Sequence, residues 1–209
     1  QVIEITHAAG KPVSVDAAGQ IYPLENFGKY VKMGADFQCI AAKYMGAPHS
    51  TGFALGTKEV IDAIGRHSFV GYEGRRIRGV GRPHKIDRQE IMGVVAAVRR
   101  WMTLNHEDRL SSAEAQSQSI IKPLMGLRGV TAELNTNIKG HQPFGVLVSV
   151  DPDVVGFTND DLVTKLRDGD PSIWTRVSLD APVLEIHVFG LGDGQAELVG
   201  NAIADAVTG

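Results

Sequence analysis

The sequence predicts an α/β chain in two parts: a parallel-type sheet segment over residues 1–83, then a small α+β domain over residues 84–209. Three observations carry this prediction. Residues 13–56 alternate short apolar strands with helical or turn segments, the rhythm of a parallel sheet. The stretch from His67 to Pro83 is rich in Gly and Arg and lacks sustained periodicity, so it reads as a connection between domains. Beyond it, a strand-strand-helix-strand-strand-helix order describes helices covering one face of an antiparallel sheet.

In chain order, residues 1–10 read as the end of a helix closed by Gly10, and Lys11-Pro12 leads straight into a strand. The expectation is a fragment, a processed product or one subunit of a split protein, with a separate chain carrying the amino-terminal half as a possible partner. Strands are predicted over 13–16, 36–40 and 52–56, with a short amphipathic helix from Leu24 to Gly34 between the first two. Asp87-Arg88-Gln89-Glu90 has the spacing of a capping box and opens a helix whose Ile91, Val94, Val95, Val98, Trp101 and Met102 share one face. A further helix is predicted from Ser112 to Met125, weakened at its end by Pro123. Strands follow over 130–135 and 145–150, then a helix begun at Thr158 and closed by Gly169, strands over 172–178 and 183–188, and a terminal helix from Gln195 to Val207.

Composition sets the broad class. The 209 residues are 43% hydrophobic and 22% charged with a net charge of −3, the profile of a globular chain large enough for one large or two small domains. The local run Arg75-Arg76-Ile77-Arg78 does not make the chain basic, so nucleic acid is not an expected partner. The single cysteine, Cys39, can form no internal disulfide, which suits a reducing compartment. No apolar run approaches a membrane span, and the first residues lack a signal-type pattern. A cytoplasmic location is expected, with no membrane partner.

Chemistry concentrates at two strand ends. Asp16 closes the strand Val13-Ser14-Val15-Asp16, and Lys43 follows the strand ending at Ile40, before a turn containing Gly46, Pro48 and Gly52. Active sites of such sheets lie at the carboxyl ends of strands. A carboxylate and an amine delivered there match pyridoxal 5'-phosphate (PLP), which needs an acid to keep its pyridine nitrogen protonated and an amine to hold its aldehyde as a Schiff base. Each residue has a structural alternative: aspartates often close strands as turn or cap residues, and lysines are commonly solvated.

The motifs Asp16-Ala17-Ala18-Gly19-Gln20-Ile21-Tyr22-Pro23, Met33-Gly34-Ala35-Asp36, Lys43 with Gly46, Pro48, Ser50 and Gly52, and Gly81-Arg82-Pro83-His84-Lys85 occur in this order, and Arg167 to Arg176 adds a later one. Together they resemble the selenocysteine synthase and D-glucosaminate-6-phosphate ammonia-lyase group of fold-type I PLP-dependent transferases and lyases. The resemblance is strongest over residues 11–104 and covers the carboxyl-terminal half of such enzymes. It implies that Lys43 is the Schiff-base lysine and the base that removes the substrate's α-proton, and that Asp16 partners the pyridinium. It places Gln20 near the cofactor ring and Ser50 near the phosphate, with backbone satisfaction as the alternative for both. It gives Arg176 the substrate carboxylate, with a surface ion pair as the alternative. His49, where the family often has glutamine, is an acid near a leaving group or a histidine satisfied within its turn.

The implied reaction is α-proton abstraction from an external aldimine followed by β-elimination, of the ammonia-lyase type, on an amino acid or amino sugar acid. The group usually carries a serine three residues before the lysine, and here that place is Ile40. The alternatives are a selenium transferase, aldolase, racemase or aminotransferase of the same fold, or a non-catalytic subunit that has lost phosphate binding. The resemblance also implies a homodimer or larger homo-oligomer. No metal is expected.

Overall fold

The computed structural model describes residues 1–136 and 144–209. It divides into two compact units, Gln1–Leu104 and Asn105–Gly209. The helix that follows Pro83 falls within the first of these units.

The first unit starts with helix α1 (Val2–Ala8), which ends before Gly10 at φ 67°. Asp36 ties this helix to the sheet: its Oδ2 accepts from the Val13 N–H at 2.8 Å and lies 2.8 Å from His7 Nε2. Strands β1 (Ser14–Asp16) and β2 (Phe37–Ala41) are parallel, with Asp16 opposite Cys39. Strand β3 (Gly52–Gly56) runs antiparallel to β2, with Gly52 opposite Ala41. The sheet is thus mixed, which corrects the parallel expectation. The connection over 42–51 is shorter than the dozen or more residues a parallel crossover requires, so the chain can only double back.

The helix expected from Leu24 to Gly34 is split into a 3-10 turn (Leu24–Asn26) and helix α2 (Lys29–Lys32), with Gly28 between them at φ 77°. Gln38, fully buried on β2, explains the break. Its amide donates to the Asn26 carbonyl at 2.8 Å and accepts from the Tyr30 N–H at 3.3 Å, satisfying backbone groups that a continuous helix would have used itself. Helices α3 (Lys58–His67) and α4 (Phe69–Arg75) follow. The second falls inside the stretch read as a connector, a reading that does not hold over 69–75. Arg82 lies 4.0 Å from the Tyr72 ring centre and Lys85 4.8 Å from that of Phe69, so side chains from beyond the helix cover its rings. Helix α5 (Arg88–Thr103) has the expected capping box, the Glu90 carboxylate accepting from the Asp87 N–H at 3.2 Å. The core gathers Ala17, Ile21, Ile40, Ala42, Met45, Ala97 and Trp101.

The second unit opens with helix α6 (His106–Ile121), which starts earlier than expected because the Asn105 side chain accepts from the N–H groups of Glu107 and Asp108 and so caps it. A 3-10 turn containing Pro123 follows. Strands β4 (Val130–Asn135), β5 (Gly145–Val150) and β6 (Leu184–His187) form an antiparallel sheet in that order. Helices α7 (Pro152–Val155), α8 (Asn159–Asp168) and α9 (Gln195–Thr208) complete the unit. The strand expected over 172–178 does not form. Ser172 and Ile173 are held by the end of α8, through Arg167 and Leu166 carbonyls, and only Val177 bridges to Leu184. Alternation on β5 and β6 buries Val146, Val148, Leu184 and Ile186 with Ile120, Leu162 and Ile203 from the helices. Gly200 permits a close approach of α9 to α6, since a Cβ there would lie 2.8 Å from the Ile120 carbonyl oxygen. Among the described residues, no helix is long and apolar enough to cross a membrane.

Candidate cofactor site

Parallel pairing decides the geometry. Because β1 and β2 run the same way, with Asp16 opposite Cys39, both strands release their chains at one edge of the sheet. The Ala41 N–H donates to the Ala18 carbonyl at 3.0 Å, extending the pairing past Asp16 almost to Lys43. Lys43 lies in a 3-10 turn (Ala42–Met45) closed by Gly46 at φ 88°, a conformation that suits glycine. Buried Ala42 and Met45 anchor this turn in the core and leave Lys43 exposed between them.

Helix α5 braces both loops. The Trp101 indole N–H donates to the Ile21 carbonyl at 2.9 Å, holding the loop after β1, and an Arg100 guanidinium N–H donates to the Met45 carbonyl at 3.4 Å, holding the lysine turn. Gly93 lets the helix come close: a Cβ there would lie 2.7 Å from Pro48 Cδ. Trp101 was legible as an apolar residue of a helical face, but nothing in its spacing marks the loops it holds. Arg100 and Gly93 gave no sequence signal.

The candidate groups are partly committed. Asp16 Oδ1 accepts from the Ala18 N–H at 3.0 Å and from the Cys39 thiol at 3.4 Å. Among the described residues Oδ2 has no donor, and the Lys43 ammonium has neither hydrogen bond nor ion pair, lying 5.2 Å from the Tyr44 ring centre. Gln20 accepts from the Tyr30 hydroxyl at 2.8 Å, which gives it a structural task in the loop after β1. His49 and Ser50 are exposed in the turn after Lys43, and the Thr51 hydroxyl is bonded to the Pro48 carbonyl at 2.6 Å. Arg176 belongs to the second unit, where it lines a cavity of about 300 Å³ with Thr175, Glu185 and His187.

No protein-family profile matches the chain. A 5'-C-glycyluridine monooxygenase-decarboxylase of Streptomyces is 28% identical over 202 residues, which is 95% of this chain and 47% of that protein. The solved structure of D-glucosaminate-6-phosphate ammonia-lyase superposes on 99% of this chain and 53% of its own, with a TM-score of 0.71 at 23% identity. The fold is that of part of a fold-type I PLP-dependent enzyme. A cysteine desulfurase from Escherichia coli shares this fold-type I architecture at a TM-score of 0.53 and 15% identity, over 98% of this chain and 53% of its own. The chain thus spans about half the length of the relatives it matches.

Tested against PLP, the residues fit the ring of the cofactor. A carboxylate with one oxygen unclaimed and an uncommitted amine leave adjacent strands at one edge, as a protonated pyridine nitrogen and an aldehyde require. Around the phosphate the fit is poor among the described residues. Ile40 is fully buried where the group carries serine, and the Thr51 hydroxyl is already engaged.

Proposed function

We propose that this chain carries the lysine and the ring-nitrogen carboxylate of a PLP-dependent lyase acting on an amino acid or amino sugar acid, with loss of ammonia. The reading is supported by one observation above the others: the parallel register of Asp16 with Cys39, which sends Asp16 and the Lys43 turn to the same sheet edge. PLP, when bound, supplies an electron sink next to the substrate's α-carbon.

The chain's own residues would do the rest. Asp16, through Oδ2, holds a proton at the ring nitrogen by a charge-assisted hydrogen bond. Lys43 would hold the cofactor's aldehyde through its amine, and with substrate bound it would take the α-proton as general base. Exposure of Lys43 beside Tyr44 leaves the side chain free to swing between those two tasks. Arg176 grips the substrate carboxylate with its planar guanidinium. His49 serves as an acid near the leaving group, while Gln20 and Ser50 contribute to cofactor binding. The working protein is a homo-oligomer, which sedimentation velocity checks.

A second reading is favoured by the Streptomyces relative, whose name describes oxidation and decarboxylation of a glycyl group on uridine. On that reading this chain acts on an amino acid joined to a nucleoside and releases carbon dioxide. The experiment mixes the protein with PLP and follows visible absorbance, then assays ammonia, carbon dioxide and oxygen uptake over a panel of hydroxy amino acids, amino sugar acids and nucleoside amino acids. Ammonia release without oxygen uptake supports the lyase. Oxygen-dependent carbon dioxide release supports the second reading. Absorbance that survives in Lys43→Ala removes the lysine assignment from both.

A further inference from the structure

The thiol of Cys39 lies beside Asp16 at the end of the paired strands, and the proposed reaction gives it no task. Parallel pairing places both residues opposite each other on one face, and the Cys39 sulfur lies 3.4 Å from Asp16 Oδ1. Both oxygens of an ionised carboxylate are acceptors, so the hydrogen in this contact must come from sulfur. The Ala18 N–H at 3.0 Å is the second donor to the same oxygen.

We propose that Cys39 is a positioning residue for Asp16: together with the Ala18 N–H it occupies Oδ1, fixing the carboxylate plane and leaving Oδ2 as the oxygen that meets the ring nitrogen. This rests on the assignment of Asp16 to the ring nitrogen made above. A free carboxylate rotates between equivalent orientations, and two donors converging on one oxygen select one of them. Neutrality of the thiol is built into the site. Burial first, then the hydrogen bond to Asp16, push the Cys39 thiol above its ordinary range, so it remains a donor at neutral pH. Across the ladder Cys39 faces Asp16 on β1 and uncharged Ala54 on β3, so Asp16 is the charged group opposite it on the neighbouring strands.

The chain has one cysteine, which makes the contact directly readable. The rate of thiol modification against pH is measured on the full chain in wild type, Asp16→Asn and Lys43→Ala, and the Asp16 side-chain rotamer populations are read from scalar couplings in wild type, Cys39→Ala and Cys39→Ser. Asp16→Asn is expected to speed modification at pH 7.5 by about three- to tenfold, because the thiolate is no longer opposed by a facing carboxylate. Cys39→Ala is expected to broaden the Asp16 side-chain rotamer populations, and Cys39→Ser, which keeps a donor, to restore them. An unchanged thiol profile in Asp16→Asn, or identical Asp16 rotamer populations in the alanine and serine variants, overturns the proposal. If the thiol responds as expected while PLP absorbance is absent or indifferent to Lys43→Ala, the contact stands and the cofactor reading falls.

Discussion

At the scale of single residues, the buried and the exposed polar groups of the first unit have opposite signatures. Gln38 is fully buried and its amide satisfies two backbone groups, so Gln38→Leu leaves the Asn26 carbonyl and the Tyr30 N–H without partners. A loss of about 2–4 kcal/mol in urea unfolding is expected, from two stranded groups at about 1–3 kcal/mol each with partial relaxation. Asp16 is exposed, so Asp16→Ala is expected to change stability by less than about 1 kcal/mol while abolishing the effect of PLP on substrate turnover. Equal losses in both measurements would return Asp16 to the role of a strand-end turn residue.

At the scale of elements, α5 and the Asp36 junction carry the predictions. A methyl group added by Gly93→Ala would meet Pro48 Cδ at 2.7 Å, so the helix or the lysine turn must shift. Weakened PLP absorbance with a small change in helix content is expected, measured by titration and circular dichroism. Trp101→Phe removes the bond to the Ile21 carbonyl and is expected to cost about 1–2 kcal/mol, since that carbonyl is left without its donor. Asp36 governs the acid limit of the α1 to β1 junction. The Val13 N–H, then His7, hold its carboxyl below the ordinary value of 3.8. The unfolded chain therefore binds the proton more readily, and this carboxylate's contribution is complete above about pH 4 and lost as pH falls through the lower folded value. Asp36→Asn is expected to flatten the acid limb of a melting-temperature profile, and an unaltered limb would show that the junction does not contribute.

At the scale of the whole molecule, each unit has a core of its own. Ile203 and Leu184 are fully buried in the second, whereas Ile21 and Met45 are buried in the first. Ile203→Ala is expected to cost about 2–5 kcal/mol, seen in hydrogen exchange as lost protection over residues 106–136 and 144–209 with protection near Lys43 unchanged. What was legible in the sequence follows the range of the forces involved. The capped helices α5 and α8, the strands β4 and β5 and the terminal helix were readable because capping and side-chain periodicity are local. Helix α4 was missed because its rings are covered by Arg82 and Lys85, which arrive from beyond its own end. No strand forms over 172–178, because Ser172 and Ile173 are tied to the end of α8 and Val177 makes a single bridge to Leu184. Of the candidate site, Asp16 and Lys43 were legible from residue type and strand-end position. Cys39 and the brace of Trp101, Arg100 and Gly93 were not, since each acts across the fold on a backbone group or side chain distant in sequence.

The sequence by itself determined which residues can be acid, amine and guanidinium, where the capped helices begin, and which family of folds the ordered motifs resemble. Tertiary structure decided that β1 and β2 are parallel while β3 turns back, that Asp16 offers one oxygen and spends the other, and that α5 holds both loops. The physical reason is that residue chemistry and capping act over a few neighbouring positions. Strand register and the pairing of a thiol with a carboxylate exist only after segments far apart in the chain have been packed against each other.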